Sequence, residues 1–464
     1  MIKDDTVYAL STPVGGAIAV IRITGSEAEA AINRIFVPAS AKAGKAASGL
    51  EVRKMTYGNV IDPSTSEIID SAMACLFRAP NTYTGEDMAE IYVHGGRITV
   101  ERTLLALSSM LKPAAAGEFT KRAFMNGKLD LSQAEAVMDV ISAVTIQSAK
   151  LAEEQLAGSI GKGIRDIEEQ LIDILSEIEA ALDYPDELEE DTIPLVPERL
   201  EPVIKRLDSL IRGGEAARIY RDGATAAILG LPNAGKSSLF NALMGTDRAI
   251  VTAIPGTTRD IIEETIDIAG APVRLIDTAG IRDTGHMDEA EKIGVNRAKK
   301  AAENADIILV AIDGTADISE EAYSILSETA AKKRLILLTK CDRPDFSIKG
   351  GLKGYDTIKV SSFTGEGLDV LKEKLAASLL SKEAESALVT NTRHIHALME
   401  ARDALEDANI SLGADILASN VRTALYSLGS ITGREVTGDV IDRIFSRFCV
   451  GKCKAQKSGD QPLF

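Results

Sequence analysis

The chain has 464 residues, with 69 acidic against 52 basic side chains and a formal net charge of −17; that length exceeds one hydrophobic core and predicts roughly two to four domains. The acidic balance repels nucleic acid, so an RNA substrate would need a local basic surface or a basic partner. Four cysteines (Cys75, Cys341, Cys449, Cys453) are too few for a disulfide framework, and no further Cys or His pair stands beside the last two to complete a zinc site.

Met1 to Thr6 lacks the basic-then-apolar pattern of a secretion signal, and no apolar run reaches bilayer length, so a cytoplasmic location with no membrane partner is expected. Residues 1–118 read as a mixed α/β domain, with strands over 17–23 and 90–94, a helix over 100–111, and dense turn chemistry at Thr12 to Gly16, Ala79 to Asn81, Thr84-Gly85 and His94 to Gly96. Residues 119–222 turn helical, with apolar spacing that predicts helices over 131–156, 160–182 and 197–220, broken at Asp183 to Asp186. Across 223–380, strands over 225–229, 273–276, 307–312 and 335–339 alternate with helical runs, as in a sheet between helices. Helical texture returns over 381–464. The expected fold class is α/β plus all-α: an N-terminal α/β domain, a helical domain formed from two separated stretches, and a Ras-like P-loop domain inserted between them.

Gly230-Leu231-Pro232-Asn233-Ala234-Gly235-Lys236-Ser237 fits the pattern G-x-x-x-x-G-K-S/T between a predicted strand and a helical run beginning at Ser238, which is the context that motif demands. Its glycines let the backbone wrap phosphates, whose charge is met by amide N–H groups and a helix N-terminus. Lys236 adds a point charge at the β- and γ-phosphates, and Ser237 offers an oxygen to Mg²⁺. Downstream, the loop Thr252-Ala253-Ile254-Pro255-Gly256-Thr257-Thr258 carries a hydroxyl, Thr258, able to close on Mg²⁺ when a γ-phosphate is present. In Asp277-Thr278-Ala279-Gly280, Asp277 can hold the metal's water shell and the Gly280 N–H can meet the γ-phosphate. Thr339-Lys340-Cys341-Asp342 resembles the guanine-reading N-K-x-D element, in which the Asp342 carboxylate accepts the N1 and N2 hydrogens of guanine, an arrangement adenine does not offer. Ser361-Ser362-Phe363 fits the loop that completes a base pocket. Thr339 stands where the usual residue is Asn, which weakens the expected contact to the base or to the P-loop. GTP with Mg²⁺ is the expected ligand pair.

Ile281 follows Gly280 where Ras-type GTPases carry the glutamine that positions water. An isoleucine cannot orient water, so hydrolysis needs another group. Asp288, Glu289 and Glu291 are the candidates; the alternative is that they are solvated carboxylates in the first turn of a helix.

Further stretches resemble the MnmE (TrmE) family of tRNA-modification GTPases. They are Asp5 to Gly16 leading into Ile21-Arg22-Ile23-Thr24-Gly25, Tyr83 to Asp87 with His94-Gly95-Gly96, Gly117 to Phe124 with Lys128 to Ala136, and the terminal Phe448-Cys449-Val450-Gly451-Lys452. The resemblance spans residues 4–452. It implies that the N-terminal domain binds a tetrahydrofolate derivative (5,10-methylene- or 5-formyl-tetrahydrofolate) and mediates homodimerisation, with Arg22, Glu90, Lys128 and Lys452 at the folate contacts. Cations suit the folate glutamate tail, and a carboxylate suits pterin N–H donors.

The same resemblance implies that Cys449 takes part in the modification chemistry, although a lone Cys after Phe448 also reads as a packed small hydrophobe. The chain continues past Lys452 through Cys453, where the family pattern stops at the Lys. Hydrolysis in the family is activated by G-domain dimerisation across K⁺, with Asn233 as the P-loop ligand and oxygens of Thr252, Ile254 and Thr257 capping the ion. A monovalent cation beside the β–γ bridge neutralises developing charge as an arginine finger does. Glu291 matches the water-positioning carboxylate, with Glu289 as the alternative, and works beside Lys236. The implied activity is addition, with the flavoprotein MnmG, of a carboxymethylaminomethyl (or aminomethyl) group to C5 of the wobble uridine of certain tRNAs. Two other classes stay open on sequence alone: a regulatory GTPase without small-molecule chemistry, and a folate-dependent transferase with a vestigial nucleotide domain.

Overall fold

The computed structural model describes residues 5–40, 50–186, 192–247, 263–277, 303–347, 352, 354–381, 389–408, 413–446 and 448. They fall into two compact units, Met1–Met138 with Thr432–Phe464, and Asp139–Ile431. Among the described residues no helix is long and apolar enough to cross a membrane.

The first unit is built on a seven-stranded sheet of β1 (Val7–Leu10), β2 (Ile18–Thr24), β3 (Phe36–Pro38), β4 (Thr56–Ile61), β5 (Ile68–Phe77), β6 (Met88–His94) and β7 (Lys112–Pro113), in the order β3-β4-β5-β6-β2-β1-β7. Side chains alternate between faces along a strand. Ala19, Ile21 and Ile23 of β2 and Ala89, Ile91 and Val93 of β6 are buried in one core with the helices Ala28–Ile35 and Arg97–Ser108. The opposite face therefore receives the intervening residues. Cross-strand register places Arg22 beside Glu90 and Glu90 beside Cys75, with Val20, Tyr92 and Met73 in the next row. The two glycine-rich turns flagged in the sequence meet at one edge: Gly95 N donates to Ala17 O, and a Cβ on Gly95 would lie 2.1 Å from the Gly16 carbonyl oxygen.

A second cluster in this unit packs Phe124, Leu131, Ala134, Ile441, Phe445 and Phe448 together. Gly117, at φ +63, lets the chain end approach: a Cβ there would sit 2.8 Å from Phe448 Cβ. The segment leading to Cys449 is thereby seated on the helix Glu118–Met125, where Lys121 also pairs with Asp442.

In the second unit, β8 (Ala224–Leu229), β9 (Glu263–Ile268), β10 (Ala271–Asp277), β11 (Ile307–Asp313), β12 (Arg334–Thr339) and β13 (Thr357–Lys359) form a sheet in the order β13-β12-β11-β8-β10-β9. All pairs are parallel except β9 with β10. Chain order reverses around β8, and open α/β sheets bind ligands at the carboxyl ends of strands at such a switch point. Helices drawn from 159–222 and 389–431 share a single aliphatic core that includes Ile167, Leu171, Leu207, Leu398, Val421 and Leu428.

The helix expected over 131–156 is two helices, Leu131–Ser142 and Ile146–Leu156. Thr145 breaks it by taking an extended conformation (φ −125°, ψ 158°) and accepting a hydrogen bond from Ser148 N, a threonine N-cap that apolar periodicity does not register. The same hydroxyl donates to Gly270 O at 2.7 Å, and Ser148 Oγ donates to Tyr220 O. One helix start thus grips both the β9–β10 turn and the helix Val196–Asp222 that feeds β8.

Gly270 has φ +88, and a Cβ there would fall 2.8 Å from Gln147 Cβ. Gly270→Ala is expected to destabilise this unit by about 1–3 kcal/mol, read as a lower urea midpoint; an unchanged midpoint would show that the grip contributes nothing.

Candidate functional site

The carboxyl ends of β8, β10, β11 and β12 converge at one edge of the sheet. Asp313 and Thr339 are paired across β11 and β12, and Asp277, whose backbone ends β10, pairs with Ile228. From β8 the chain enters Gly230 at φ +153, where a Cβ would meet the Ala311 carbonyl oxygen at 2.3 Å, so only glycine can begin the loop here. Asn233, at φ +65, and Gly235, at φ +84, complete the wrap into the helix Lys236–Asp247. Asn233, Ser237 and Ser238 are exposed at the helix mouth, while Ala234 is buried. Lys236 Nζ donates to Gly230 O and Leu231 O, both at 2.8 Å, so the ammonium lies across the concave side of the loop. That geometry suits a chain of phosphates, with N–H groups around it and one cation beside it.

Thr339, at the end of β12, is 2% exposed, and its hydroxyl reaches Ala234 O at 2.8 Å and Ile312 O at 3.1 Å. The threonine that departs from the usual Asn therefore makes the P-loop contact through its hydroxyl. Beyond it, Ser361 is fully buried and donates to Asp342 Oδ1 at 2.6 Å while accepting from Phe363 N and Thr364 N. Asp342 is thus held by the loop Ser361-Ser362-Phe363, with Phe363 91% exposed beside it. Cys341, anchored through its N–H to Val360 O, is a free thiol that burial and the neighbouring Glu366 and Asp342 charges push above the ordinary thiol range. Lys340 takes φ +61 and pairs with Asp313.

Thr252 to Thr258, Thr278, Ala279, Gly280 and Glu291, and at the chain end Cys449 and Lys452, lie outside the described residues. So do Asp288 and Glu289, and so does the side chain of Asp277.

On the open face of the N-terminal sheet, Arg22 Nε donates to Glu90 Oε1 at 2.7 Å, with the Arg22 side chain 41% and the Glu90 side chain 12% exposed. Tyr92 donates to the other oxygen, Oε2. Each carboxylate oxygen keeps a second lone-pair direction, so the site can still accept N–H donors. Burial and the Glu90 carboxylate push the Tyr92 phenol up to about 12, and burial followed by the Glu90 charge raises the Cys75 thiol. Tyr83 lies within electrostatic reach of Arg22; its hydroxyl pairs with Thr120. Lys128 donates to Pro80 O at 3.1 Å rather than to Glu90, and its stem passes Gly85.

Sequence reasoning missed the group that assembles this cluster. Arg122, 2% exposed, donates to Glu86, to Glu118 and to Asp5 O, and Glu86 in turn accepts from Thr24. Asn126 Nδ2 donates to Thr84 O. Burial works against the charge of Arg122, but Glu118 and Glu86 outweigh it and keep the guanidinium firmly protonated. Arg122 ties the helix that leads to Lys128 to the loop carrying Tyr83, and Thr24 of β2 ties that loop to the sheet through Glu86. In the sequence Arg122 lies within the Gly117 to Phe124 stretch that carries the family resemblance, but by spacing it is an Arg four residues after Glu118, which reads as an ordinary surface pair. Tyr92 had a signal: it stands two residues after Glu90 and so shares its face.

Residues 131–449 match the family described as MnmE helical domain, and residues 6–128 match the family described as GTP-binding protein TrmE N-terminus. The tRNA modification GTPase MnmE of Carboxydothermus hydrogenoformans is 40% identical over 468 residues, covering 97% of this chain and 100% of that protein. Its counterpart in Clostridioides difficile is 41% identical at the same coverage. That of Lactiplantibacillus plantarum is 40% identical, over 97% of this chain and 98% of its own.

Thr339→Val removes the donor between the two loops and leaves a buried carbonyl poorly satisfied. GDP affinity should fall roughly tenfold, about 1–2 kcal/mol, by fluorescent-nucleotide titration; an unchanged Kd would mean the loops hold themselves. For Tyr92, the raised pKa means that its neutral form stabilises the fold fully below pH 10, and that this contribution is lost as pH rises through about 12. Alkaline difference absorbance should lose one late tyrosine ionisation in Tyr92→Phe, and a wild-type titration with every tyrosine near 10 would contradict the hydrogen bond to Glu90.

Proposed function

The chain belongs to the MnmE family of tRNA modification GTPases and is a GTP hydrolase; from that premise we propose that it is a potassium-activated, homodimeric enzyme of tRNA wobble-uridine modification. Residues 223–380 form the G domain, carried by helices from 119–222 and 381–464, with 1–118 as the folate-binding and dimerisation domain. The observation that carries the reading is the tie between P-loop and base loop, Thr339 to Ala234 at 2.8 Å, with Asp342 set by Ser361. It brings a phosphate cradle and a guanine-reading carboxylate into one site.

In hydrolysis, water attacks the γ-phosphorus, the bond to the β–γ bridging oxygen breaks, and GDP leaves with that electron pair. Lys236 and the N–H groups of residues 233–238 hold the triphosphate. Glu291 orients the water and draws on its proton, with Glu289 as the alternative, because Ile281 cannot. The exposed hydroxyl of Ser237 at the helix start suits a hard cation, and with Thr258 it would hold Mg²⁺. Asn233, exposed at φ +65, with Thr252, Ile254 and Thr257 would hold K⁺. Bound there, the two cations supply positive charge at the β- and γ-phosphate oxygens.

In the N-terminal domain, Glu90 accepts pterin N–H donors while Arg22 and Lys128, joined by Lys452, meet anionic groups of a 5,10-methylene- or 5-formyl-tetrahydrofolate. The half-buried Glu90 with Arg22 beside it supports this, since a carboxylate already oriented by two donors loses little entropy on accepting more. Phe448, packed against Gly117 and in one cluster with Phe124 and Leu131, supports a reading in which the segment that leads into Cys449 belongs to the same domain as the folate contacts. The folate unit supplies the methylene carbon and the partner flavoprotein MnmG the redox chemistry, installing the carboxymethylaminomethyl or aminomethyl group on tRNA. With a net charge of −17, this chain leaves most of the tRNA binding to that partner.

The test is the GTPase rate in K⁺ against Na⁺ for wild type, Asn233→Lys and Glu291→Ala. Wild type should be much faster in K⁺, Asn233→Lys should lose the difference, and Glu291→Ala should be slow in both by on the order of 10²-fold or more. Equal wild-type rates in the two salts would sink the potassium mechanism. Calorimetry with 5-formyltetrahydrofolate tests the other half: no heat at millimolar ligand would remove the folate site and leave the GTPase standing.

A further inference from the structure

Asp313 closes β11 directly beside Thr339, and neither motif reading assigns it a role. Its carboxylate is held on both sides. Oδ2 accepts from Lys340 Nζ at 2.6 Å, and Oδ1 accepts from Thr315 N at 2.9 Å and Thr315 Oγ1 at 2.6 Å. The Asp313 and Lys340 side chains are 22% and 31% exposed, so the pair sits at the wall of the site and is partly shielded from water. Burial pushes the Asp313 carboxyl up, but the donors from Lys340 and Thr315 outweigh it and hold the group below the usual carboxylate range, so it stays charged.

Lys340 is one of five non-glycine residues at positive φ among the described residues. A left-handed lysine costs roughly 1–2 kcal/mol and persists only where its surroundings over-determine it. Three backbone bonds hold the same turn: Gly314 N to Thr339 O, Cys341 N to Val360 O, and Arg343 N to Lys340 O. The Thr339 hydroxyl and Ser361 hold the two ends of the turn, and Asp313 anchors Lys340 between them, on a long stem that would otherwise sample many rotamers. Two residues further on stands Asp342, whose position relative to a base follows from the turn at Lys340.

We propose that Asp313 is a positioning residue for guanine recognition: by holding Lys340 it keeps the Thr339–Asp342 turn in the left-handed form that presents Asp342 to the base. The proposal rests on reading Asp342 as the guanine acceptor. A carboxylate that accepts both N1–H and the 2-amino group distinguishes guanine from hypoxanthine, which keeps N1–H and lacks the amino group. When the turn relaxes, Asp342 shifts, the two-point contact degrades, and discrimination falls along with affinity. A purely structural role for Asp313 would weaken both bases alike.

The experiment measures Kd for GDP and IDP with full-length wild type, Asp313→Asn, Lys340→Met and the double variant. Expected are a GDP Kd raised about tenfold in Asp313→Asn, a GDP-to-IDP preference moved toward unity, and no added effect of Asp313→Asn in the Lys340→Met background. An unchanged preference, or an Asp313→Asn effect that persists undiminished without Lys340, overturns the proposal. Should Asp313→Asn fail to fold, Thr315→Val removes a donor from the same carboxylate; it should shift the preference in the same direction by less, and no shift would again overturn it. A wild-type protein that binds GDP and IDP equally would sink the reading of Asp342 itself, a failure distinct from that of Asp313.

Discussion

The Thr339 hydroxyl and the Ala234 carbonyl, 2.8 Å apart and both buried, join two loops that strand pairing alone leaves independent. β12 and β8 are not neighbours; β11 runs between them. Backbone ladders therefore fix each strand to β11 but do not set the distance between the tips that follow them. The phosphate cradle and the base-reading carboxylate proposed for this chain would work as one site only if that distance is constant. The donor is supplied by a single small side chain whose hydroxyl also reaches Ile312 O, so the ends of β11 and β12 and the loop after β8 meet at one atom. Asp342 and Lys340 extend the same arrangement outward, each fixed by a partner from a different element.

In the N-terminal unit the comparable constraint is the charge of Arg122. A guanidinium removed from water must be met by acceptors on all sides, and here they come from Glu86, Glu118 and the Asp5 carbonyl. Those acceptors belong to three separate segments, so satisfying one cation fixes a loop, a helix and the start of the chain together. On the sheet face opposite the core, Arg22 and Glu90 pair across β2 and β6, and Tyr92 of the adjacent row donates to the same carboxylate.

A similar economy governs the second unit. The start of the helix Ile146–Leu156 carries two hydroxyls, Thr145 and Ser148, that cap their own helix and satisfy the carbonyls of Gly270 and Tyr220. Strands β9 and β10 lead toward the segments at 248–262 and 278–302, and the helix Val196–Asp222 leads toward the P-loop through β8. The helical layer thus touches the sheet at the amino ends of β8 and β10, whose carboxyl ends lead to the candidate site.

Much of this was legible in the chain. Strand β8 followed by the phosphate motif, the alternation of short β runs with helices, and the two helical stretches flanking them all follow from local spacing, because periodicity and turn chemistry are properties of neighbouring residues. Arg22 and Glu90 carried a signal only through resemblance to a family; by spacing they are a strand cation and a strand carboxylate. Short strands such as β3, β7 and β13 left no pattern, being three residues or fewer, and the break at Thr145 was hidden because an N-cap interrupts a helix without interrupting its apolar stripe. What tertiary structure alone decided is which polar groups become partners: Arg122 with Glu86, Thr339 with Ala234, Asp313 with Lys340. Those pairings join residues 36, 105 and 27 positions apart. They exist because burying a charge or a hydroxyl forces it to find an acceptor wherever the fold brings one within reach. Sequence alone determined the chemistry on offer; burial determined which groups would spend it on one another.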